Sequence, residues 1–299
     1  MTTELNGVLA ALVTPFTADG SEVDVAALEA HVDRLVSHGV HGLVPNGSTG
    51  EFTTLSAAER KQVIEVVVKA ADGRVPVVAG TGALSTNEAV DLAAHAAQAG
   101  ASALMVVPPF YDAPDLDTLK ELLREIYAAS QLPIMYYNIP SASGVRLTPS
   151  EIASLADVEG VRYLKDTSGD AVALTELLQV HAGTITAFNG WDTLTFYGIA
   201  AGAKGSVWGA TNFIPELSKQ LWDALAVDND LVRGRELWAK IYPICNLLER
   251  YNYAAAVKTG LELTGHPAGP VRKPFSLLSD SARAELAELL RAAGVEVVD

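Results

Sequence analysis

The sequence has very little cysteine and no concentration of positive charge. Cys245 is the single cysteine among 299 residues, and one thiol can form neither an internal disulfide nor a cysteine-rich zinc site. Because Cys245 lies in the apolar stretch WAKIYPICNLLERY, we expect a buried small side chain rather than a nucleophile. The formal net charge is −15, and no run of Lys or Arg exceeds two residues. Nucleic acids and anionic membranes need basic patches, so neither is an expected partner.

Long apolar runs are also lacking. Runs such as residues 101–109 fall far short of the roughly 20 residues that a membrane-spanning helix needs. The N-terminal sequence MTTELNGVLAALVTPF has neither a basic region nor a site typical of signal-peptide cleavage. We therefore expect no membrane span and a cytoplasmic location.

No linker rich in Pro, Gly or Ser divides the chain, and short apolar runs instead alternate with amphipathic stretches. The apolar runs are typical of buried strands and cover residues 8–13, 42–45, 75–79, 103–107, 132–137, 161–164, 184–188 and 204–208. The stretches between them have helical period and cover residues 24–38, 56–71, 86–99, 116–130, 149–156, 171–180 and 192–201. Strands that alternate with helices predict a parallel sheet.

An alternating part of about 210 residues matches an α/β fold of the closed (β/α)8 TIM-barrel type. The rival is a doubly wound open sheet, but no G-x-G-x-x-G follows the first predicted strand, where the turn reads TPFTADGSE. Beyond the alternating part, residues 213–297 have helical patterns throughout. We predict a catalytic barrel in residues 1–225 and a C-terminal helical extension in residues 226–299.

A lysine ends the sixth predicted strand, VRYLKD. Catalytic groups of such barrels lie at the carboxyl ends of the strands, and Lys165 would point into the barrel mouth there. A lysine partly removed from water gives up its proton more readily, and the neutral amine attacks a ketone to form an iminium that withdraws electrons from neighbouring bonds. The alternative is a structural ion pair with Asp166 or another carboxylate.

Two neighbours favour the catalytic interpretation. Tyr137 ends the fifth predicted strand and would pass protons to and from the reacting oxygen, whereas Tyr136 faces the other side of the strand and packs. After the second strand comes the loop GSTGE. Its residues Ser48 and Thr49 offer hydroxyl and backbone N–H groups, a combination suited to binding a carboxylate.

Together, GVLAALVTPF, GSTGE, YNIP and LKDTSGD resemble the dihydrodipicolinate synthase / N-acetylneuraminate lyase family of Schiff-base enzymes, in order and over nearly the whole chain. The resemblance implies that Lys165 forms a Schiff base with pyruvate, that Tyr137 relays protons, and that Ser48 and Thr49 bind the pyruvate carboxylate. Tyr111 is similar to a catalytic tyrosine that enters a neighbouring subunit's site, which implies a homotetramer or homodimer. Neither a metal nor an organic cofactor is expected.

Departures from the family's patterns bear on the substrate. Dihydrodipicolinate synthases carry an arginine where this chain has Ala142, and Arg146 is the possible substitute. Sialic-acid lyases carry Asp-Glu after an aromatic residue and a serine after strand 8. This chain keeps Asp192 but has Thr193 and Gly209 at the other two positions, and Thr167, Gly190, Asp192 and Gly209 complete the predicted substrate-binding set.

We therefore favour aldol cleavage or condensation, or dehydration, of a 2-keto-3-deoxy sugar acid. The alternatives are a 4-hydroxy-tetrahydrodipicolinate synthase and an N-acetylneuraminate lyase. A non-catalytic barrel that binds a 2-oxo acid would be expected to lose Lys165 or Tyr137. A metal-dependent barrel would need His and carboxylates clustered at strand ends, but the six histidines fall mostly in or beside predicted helices: His31, His38, His41, His95, His181 and His266.

Overall fold

A computed structural model describes residues 4–298, so residues 1–3 and 299 of the predicted barrel and extension lie outside the described residues. Eight parallel strands form one sheet in the order β2-β1-β8-β7-β6-β5-β4-β3. They are β1 (Gly7–Ala11), β2 (Gly42–Val44), β3 (Val78–Gly80), β4 (Ala103–Val106), β5 (Ile134–Asn138), β6 (Val161–Asp166), β7 (Thr186–Asn189) and β8 (Gly205–Trp208). A parallel bridge between Leu43 and Val77 brings the two edge strands together. The predicted (β/α)8 TIM barrel is confirmed, and the open-sheet alternative is wrong.

Helices follow the strands along the chain. They are α1 (Val25–Ser37), α2 (Ala57–Ala71), α3 (Thr86–Ala99), α4 (Leu116–Ser130), α5 (Pro140–Ser143), α6 (Pro149–Ser154), α7 (Ala171–Gln179), α8 (Thr195–Ala200), α9 (Pro215–Trp222), α10 (Leu231–Leu248), α11 (Tyr253–Leu263) and α12 (Asp280–Ala293). Local sequence fixes where they begin: Ser56 and Glu59 form a reciprocal capping box at α2, which satisfies two N–H groups that the first turn leaves free. Among residues 4–298, no helix combines the length and apolar character needed to span a membrane.

The alternation of side chains along the strands decides which residues reach the barrel interior. Tyr163 of β6 and Met135 of β5 belong to the cluster that fills the barrel, whereas Tyr136 and Leu164 pack outward against the helices. Because side chains two residues apart share a face, Lys165 and Tyr137 point inward above this interior. The outward packing of Tyr136 agrees with the prediction.

The C-terminal helices pack against one side of the barrel. Ile244 and Leu248 of α10 share an apolar cluster with Val8 of β1 and Trp208 of β8. Cys245 is fully buried in the same cluster, as its apolar surroundings predicted. The division after residue 225 stays a prediction, since the chain continues from α9 through a π-helical turn before α10 begins.

Candidate active site

A cavity of about 230 Å³ opens at the carboxyl ends of the barrel strands. Its wall combines residues of the strand ends with residues that follow α10. The lining residues are Ala11, Ser48, Thr49, Tyr137, Ile139, Lys165, Thr167, Gly190, Trp191, Asp192, Val207, Gly209, Glu249, Tyr251 and Tyr253. Every predicted site residue except Tyr111 is therefore in one cavity.

Lys165 and Tyr137 lie side by side. They are Cα register partners on β6 and β5, and Lys165 Nζ is 4.0 Å from the centroid of the Tyr137 ring. Both side chains are buried, with exposed fractions of 5% and 3%. The barrel thus holds an amine and a phenol within reach of one ligand atom, which suits proton transfer during attack on a carbonyl.

The described residues do not place Lys165 in a structural ion pair. Asp166 faces the opposite side of β6, where it accepts hydrogen bonds from Asn138 Nδ2 at 2.7 Å and Ser168 Oγ at 3.0 Å. Burial raises the pKa of the Asp166 carboxyl. Within residues 4–298, no ion pair joins Lys165 to a carboxylate.

The GSTGE loop brings Ser48 and Thr49 to the cavity wall. Thr14, which follows β1, donates a hydrogen bond from its hydroxyl to the carbonyl of Gly50 at 2.8 Å. Thr49 is buried while Ser48 is exposed. The hydrogen bond from Thr14 helps to hold this irregular loop in place. Its two hydroxyl groups can then donate hydrogen bonds to an anion beside Lys165.

A buried ion pair, which the sequence reasoning missed, anchors this loop to the C-terminal extension. Glu51 Oε1 lies 2.8 Å from Lys258 Nζ of α11, and their side chains are only 4% and 0% exposed. Glu51 Oε2 also accepts a hydrogen bond from the backbone N–H of Arg272 at 2.9 Å. Burial lowers the pKa of Lys258 to about 8, although Glu51 opposes the shift. Nothing in the local sequence links residues so far apart, but a lysine at a core position of a helix pattern is a signal for a buried pair.

Gly190 permits close packing around the lysine. A Cβ atom at this position would lie 2.3 Å from Thr167 Oγ1 and 2.8 Å from Lys165 Cε, closer than any side chain allows. Thr167 Oγ1 donates a hydrogen bond to the Gly190 carbonyl at 3.1 Å. Thr167 and Gly190 thus shape the wall beside the amine, as their predicted place in the site requires.

We call Lys165 and Tyr137 the lysine side of the cavity. The acidic side, which comprises Asp192, Gly209, Glu249, Tyr251 and Tyr253, differs from it in chemistry. Tyr253 O–H donates a hydrogen bond to Asp192 Oδ2 at 2.5 Å. Burial raises the pKa of Asp192 to about 7, and the Glu249 charge adds to the rise, whereas the Tyr253 hydrogen bond and the Lys165 charge oppose it. A carboxyl with such a pKa changes charge near neutral pH.

Three other residues named from sequence lie outside this cavity. Tyr111 is 87% exposed, so its entry into a neighbouring subunit's site stays a prediction. Arg146 is exposed and absent from the lining, and Ala142 lines an adjoining cavity. The lining therefore contains no guanidinium at the place where a synthase would use one.

Among residues 4–298, no three His, Cys, Asp or Glu side chains are grouped so as to hold a metal ion. The expectation that the site works without metal or organic cofactor stays a prediction.

Comparison with known proteins adds independent findings. The model of the "Dihydrodipicolinate synthetase family" matches residues 4–293. The 4-hydroxy-tetrahydrodipicolinate synthase of Methanothrix thermoacetophila is 36% identical over 285 residues, which is 95% of each chain. The crystal structure of dihydrodipicolinate synthase from Aquifex aeolicus superposes with a TM-score of 0.92 at 32% identity, covering 99% of this chain and 100% of that one. YagE, a prophage protein of this family from E. coli K12 solved in complex with pyruvate, gives 0.92 at 30% identity, with 98% and 100% covered.

Proposed function

The chain belongs to the dihydrodipicolinate synthetase family of lyases, and from that premise we propose that it binds pyruvate or a related 2-oxo acid as a Schiff base on Lys165. The observation that carries the proposal is the buried Lys165 amine beside the Tyr137 ring, with Ser48 and Thr49 lining the same cavity. The pyruvate complex of the similar E. coli K12 protein supports the choice of ligand. The favoured reactions are aldol cleavage or condensation, or dehydration, of a 2-keto-3-deoxy sugar acid.

The geometry suggests how the reaction would run. Neutral Lys165 Nζ attacks C2 of the 2-oxo acid, and one amine proton passes through Tyr137 to the former carbonyl oxygen. This oxygen takes a second proton from solvent by the same relay and leaves as water to give the iminium. Loss of a C3 proton gives an enamine, whose C3 attacks an aldehyde carbon. The reverse sequence is cleavage, and loss of a C4 hydroxyl as water is dehydration. Ser48 and Thr49 would hold the carboxylate, so this scheme needs no metal or organic cofactor.

A second candidate is 4-hydroxy-tetrahydrodipicolinate synthase, which is the name of several relatives. Its disadvantage lies in the wall of the cavity. Ala142 and the exposed Arg146 leave a second substrate carboxylate without a guanidinium partner, and that loses a bidentate contact. N-acetylneuraminate lyase is a third candidate, with Thr193 and Gly209 as departures. The retained Lys165 and Tyr137 argue against a non-catalytic barrel.

We further propose that the enzyme acts in the cytoplasm as a homotetramer or homodimer. Tyr111, with 87% of its surface exposed, would enter the cavity of a neighbouring copy and join the proton relay there. Nucleic acid and membrane are not proposed as partners, because the net charge of −15 opposes both.

The decisive experiment is borohydride reduction in the presence of pyruvate, followed by intact mass and peptide mapping. The wild-type protein should gain one pyruvate-sized adduct on the peptide that contains Lys165. Lys165→Ala should gain none and lose turnover while keeping a native circular dichroism spectrum. Lys204→Ala is the matched control, because Lys204 is an exposed lysine that precedes β8. Absence of an adduct from folded wild-type protein, with pyruvate and with 2-keto-3-deoxy acids, would overturn the proposal.

A further inference from the structure

The segment that joins α10 to α11 closes one side of the cavity. We call residues 249–253 the α10–α11 turn, and three of them line the cavity: Glu249, Tyr251 and Tyr253. None of them belongs to a motif found at a strand end. The barrel's own loops therefore supply only part of the wall that a second substrate would meet.

Glu249 is fixed in place by the loop after β7. Its Oε1 accepts a hydrogen bond from the Thr193 backbone N–H at 3.0 Å, and its Oε2 accepts one from Thr193 Oγ1 at 3.0 Å. Trp191 Nε1 donates to the same hydroxyl at 3.0 Å. A carboxylate has about four acceptor positions, so both oxygens keep capacity for a ligand. Thr193, which lacks a carboxylate of its own, thus holds one that comes from the extension.

Tyr253 occupies space that Gly209 leaves open. A Cβ atom on Gly209 would lie 2.4 Å from the Tyr253 hydroxyl oxygen and 2.5 Å from its Cε1, so any side chain there would displace the phenol. In its observed place the phenol donates to Asp192 at 2.5 Å. Two positions of the barrel, Thr193 and Gly209, are therefore each complemented by one residue of the α10–α11 turn.

The chemistry of this wall selects among second substrates. Apart from Lys165, no lining residue is positively charged, while two carboxyl groups and two phenols lie together. A carboxylate accepts hydrogen bonds from hydroxyl groups, and a charge-assisted bond of this kind contributes about 1.5–3 kcal/mol. An anionic substrate would meet like charges without a compensating cation.

We propose that the α10–α11 turn is the specificity segment of the site, in which Glu249, with Asp192 and Tyr253, binds the hydroxyl groups of an uncharged polyhydroxylated aldehyde. In the cleavage direction the same groups bind the hydroxylated tail of the keto acid. This inference rests on the proposed function, since the aldehyde reacts with the 2-oxo acid carried by Lys165. It assigns the choice of second substrate to the extension and leaves the covalent chemistry to the barrel.

The test compares three aldehydes with pyruvate as the donor: D-glyceraldehyde, propionaldehyde and succinic semialdehyde. Initial rates give kcat/KM for each in wild type, in Glu249→Gln and in Glu236→Gln. Glu236 is the matched control because it is an exposed carboxylate of α10 that does not line the cavity. Wild type should prefer glyceraldehyde to propionaldehyde, and Glu249→Gln should lower that preference by about 10-fold or more, mainly through KM, which is the scale of one charged hydrogen bond.

Relative activity with succinic semialdehyde should rise in Glu249→Gln, and Glu236→Gln should match wild type in every ratio. The inference is overturned if Glu249→Gln leaves the glyceraldehyde preference unchanged, if wild type prefers the anionic aldehyde, or if it condenses none of the three. Borohydride trapping with pyruvate is run on the same samples. A Lys165 adduct in those cases leaves the proposed Schiff base standing, whereas its absence removes both proposals.

Discussion

On the lysine side of the cavity, Lys165 and Tyr137 are register partners on adjacent strands, whereas on the acidic side Thr193 holds a glutamate 56 residues away. Lys165 and Tyr137 are buried, and the register of β5 and β6 fixes their positions. The acidic side includes the exposed Glu249 and Tyr251 and depends on where α10 ends. If Lys165 carries the proposed Schiff base and the acidic side binds the proposed second substrate, the two functions have separate structural origins, and each should respond to its own substitutions.

The largest expected effect outside Lys165 comes from Tyr137. Tyr137→Phe keeps the ring that contacts Lys165 Nζ and removes the hydroxyl that would move protons. Loss of a general acid/base group lowers rates by roughly 100-fold or more, so we expect such a fall in kcat with every aldehyde. A steady-state assay across the three aldehydes measures it.

Tyr136→Phe is the matched control for that substitution. Tyr136 is the preceding residue, packs on the outer side of β5, and has a buried hydroxyl without a hydrogen-bond partner among the described residues. Its loss should leave kcat unchanged. Equal rates for both variants would contradict a proton relay at Tyr137.

The next effect should separate the two sides. Gly209→Ala places a methyl group where the Tyr253 phenol lies, which forces the phenol away from Asp192. We expect kcat/KM for D-glyceraldehyde to fall by about 10-fold, while the yield of borohydride-trapped pyruvate stays at the wild-type level. A parallel loss of trapping would show that the two sides are coupled, which would contradict their separate roles.

The smallest effect is a pH dependence confined to the acidic side. With its pKa raised to about 7, Asp192 gains a proton as pH falls through neutrality and becomes a weaker acceptor. The KM for D-glyceraldehyde should therefore rise below pH 7 in wild type. In Asp192→Asn the KM should stay near the low-pH value of wild type at all pH values and lack this step, which a pH profile of KM can test.

The raised pKa of Asp192 also makes the free energy of unfolding depend on pH. The folded state keeps the Asp192 proton up to about pH 7, whereas the ordinary pKa of the free carboxyl group is 3.8. Asp192 therefore destabilises the fold progressively as pH rises from about 4 to about 7, by roughly 1 kcal/mol per pH unit, and no further above that range. Thermal unfolding should show a larger stability of Asp192→Asn relative to wild type at pH 8 than at pH 5. An unchanged difference would contradict the raised pKa.

Local patterns predicted most of the fold and the lysine side. Each predicted strand overlaps an observed one. Short apolar runs bounded by turn residues are typical of buried strands, and the helical stretches between the runs separate one strand from the next. Lys165 and Tyr137 followed from the rule that chemistry lies at the carboxyl ends of strands. The position of each in its strand, two residues beyond an interior residue such as Tyr163, then fixed its direction.

The acidic side could be predicted only in part, for a physical reason. Asp192 follows β7 and was found in the same way as Lys165. Glu249 and Tyr253 reach the cavity because α10 packs across β1 and β8, and no spacing in the sequence gives that angle. The departures from family patterns at Thr193 and Gly209 were visible in the sequence. That Glu249 and Tyr253 complement these two positions was not.

The buried pair of Glu51 and Lys258 limits how this protein can be recombined with its relatives. A chimera that takes its barrel from one parent and its last helices from another would exchange the α10–α11 turn, and with it the proposed choice of second substrate. The same junction also separates the two halves of the ion pair that joins the GSTGE loop to α11. A donor tail without a lysine at the position of Lys258 would leave the buried Glu51 carboxylate unpaired, a defect that costs about 3–5 kcal/mol. Donor tails for grafting should therefore be chosen first by their partner for Glu51 and only then by their sequence at residues 249–253.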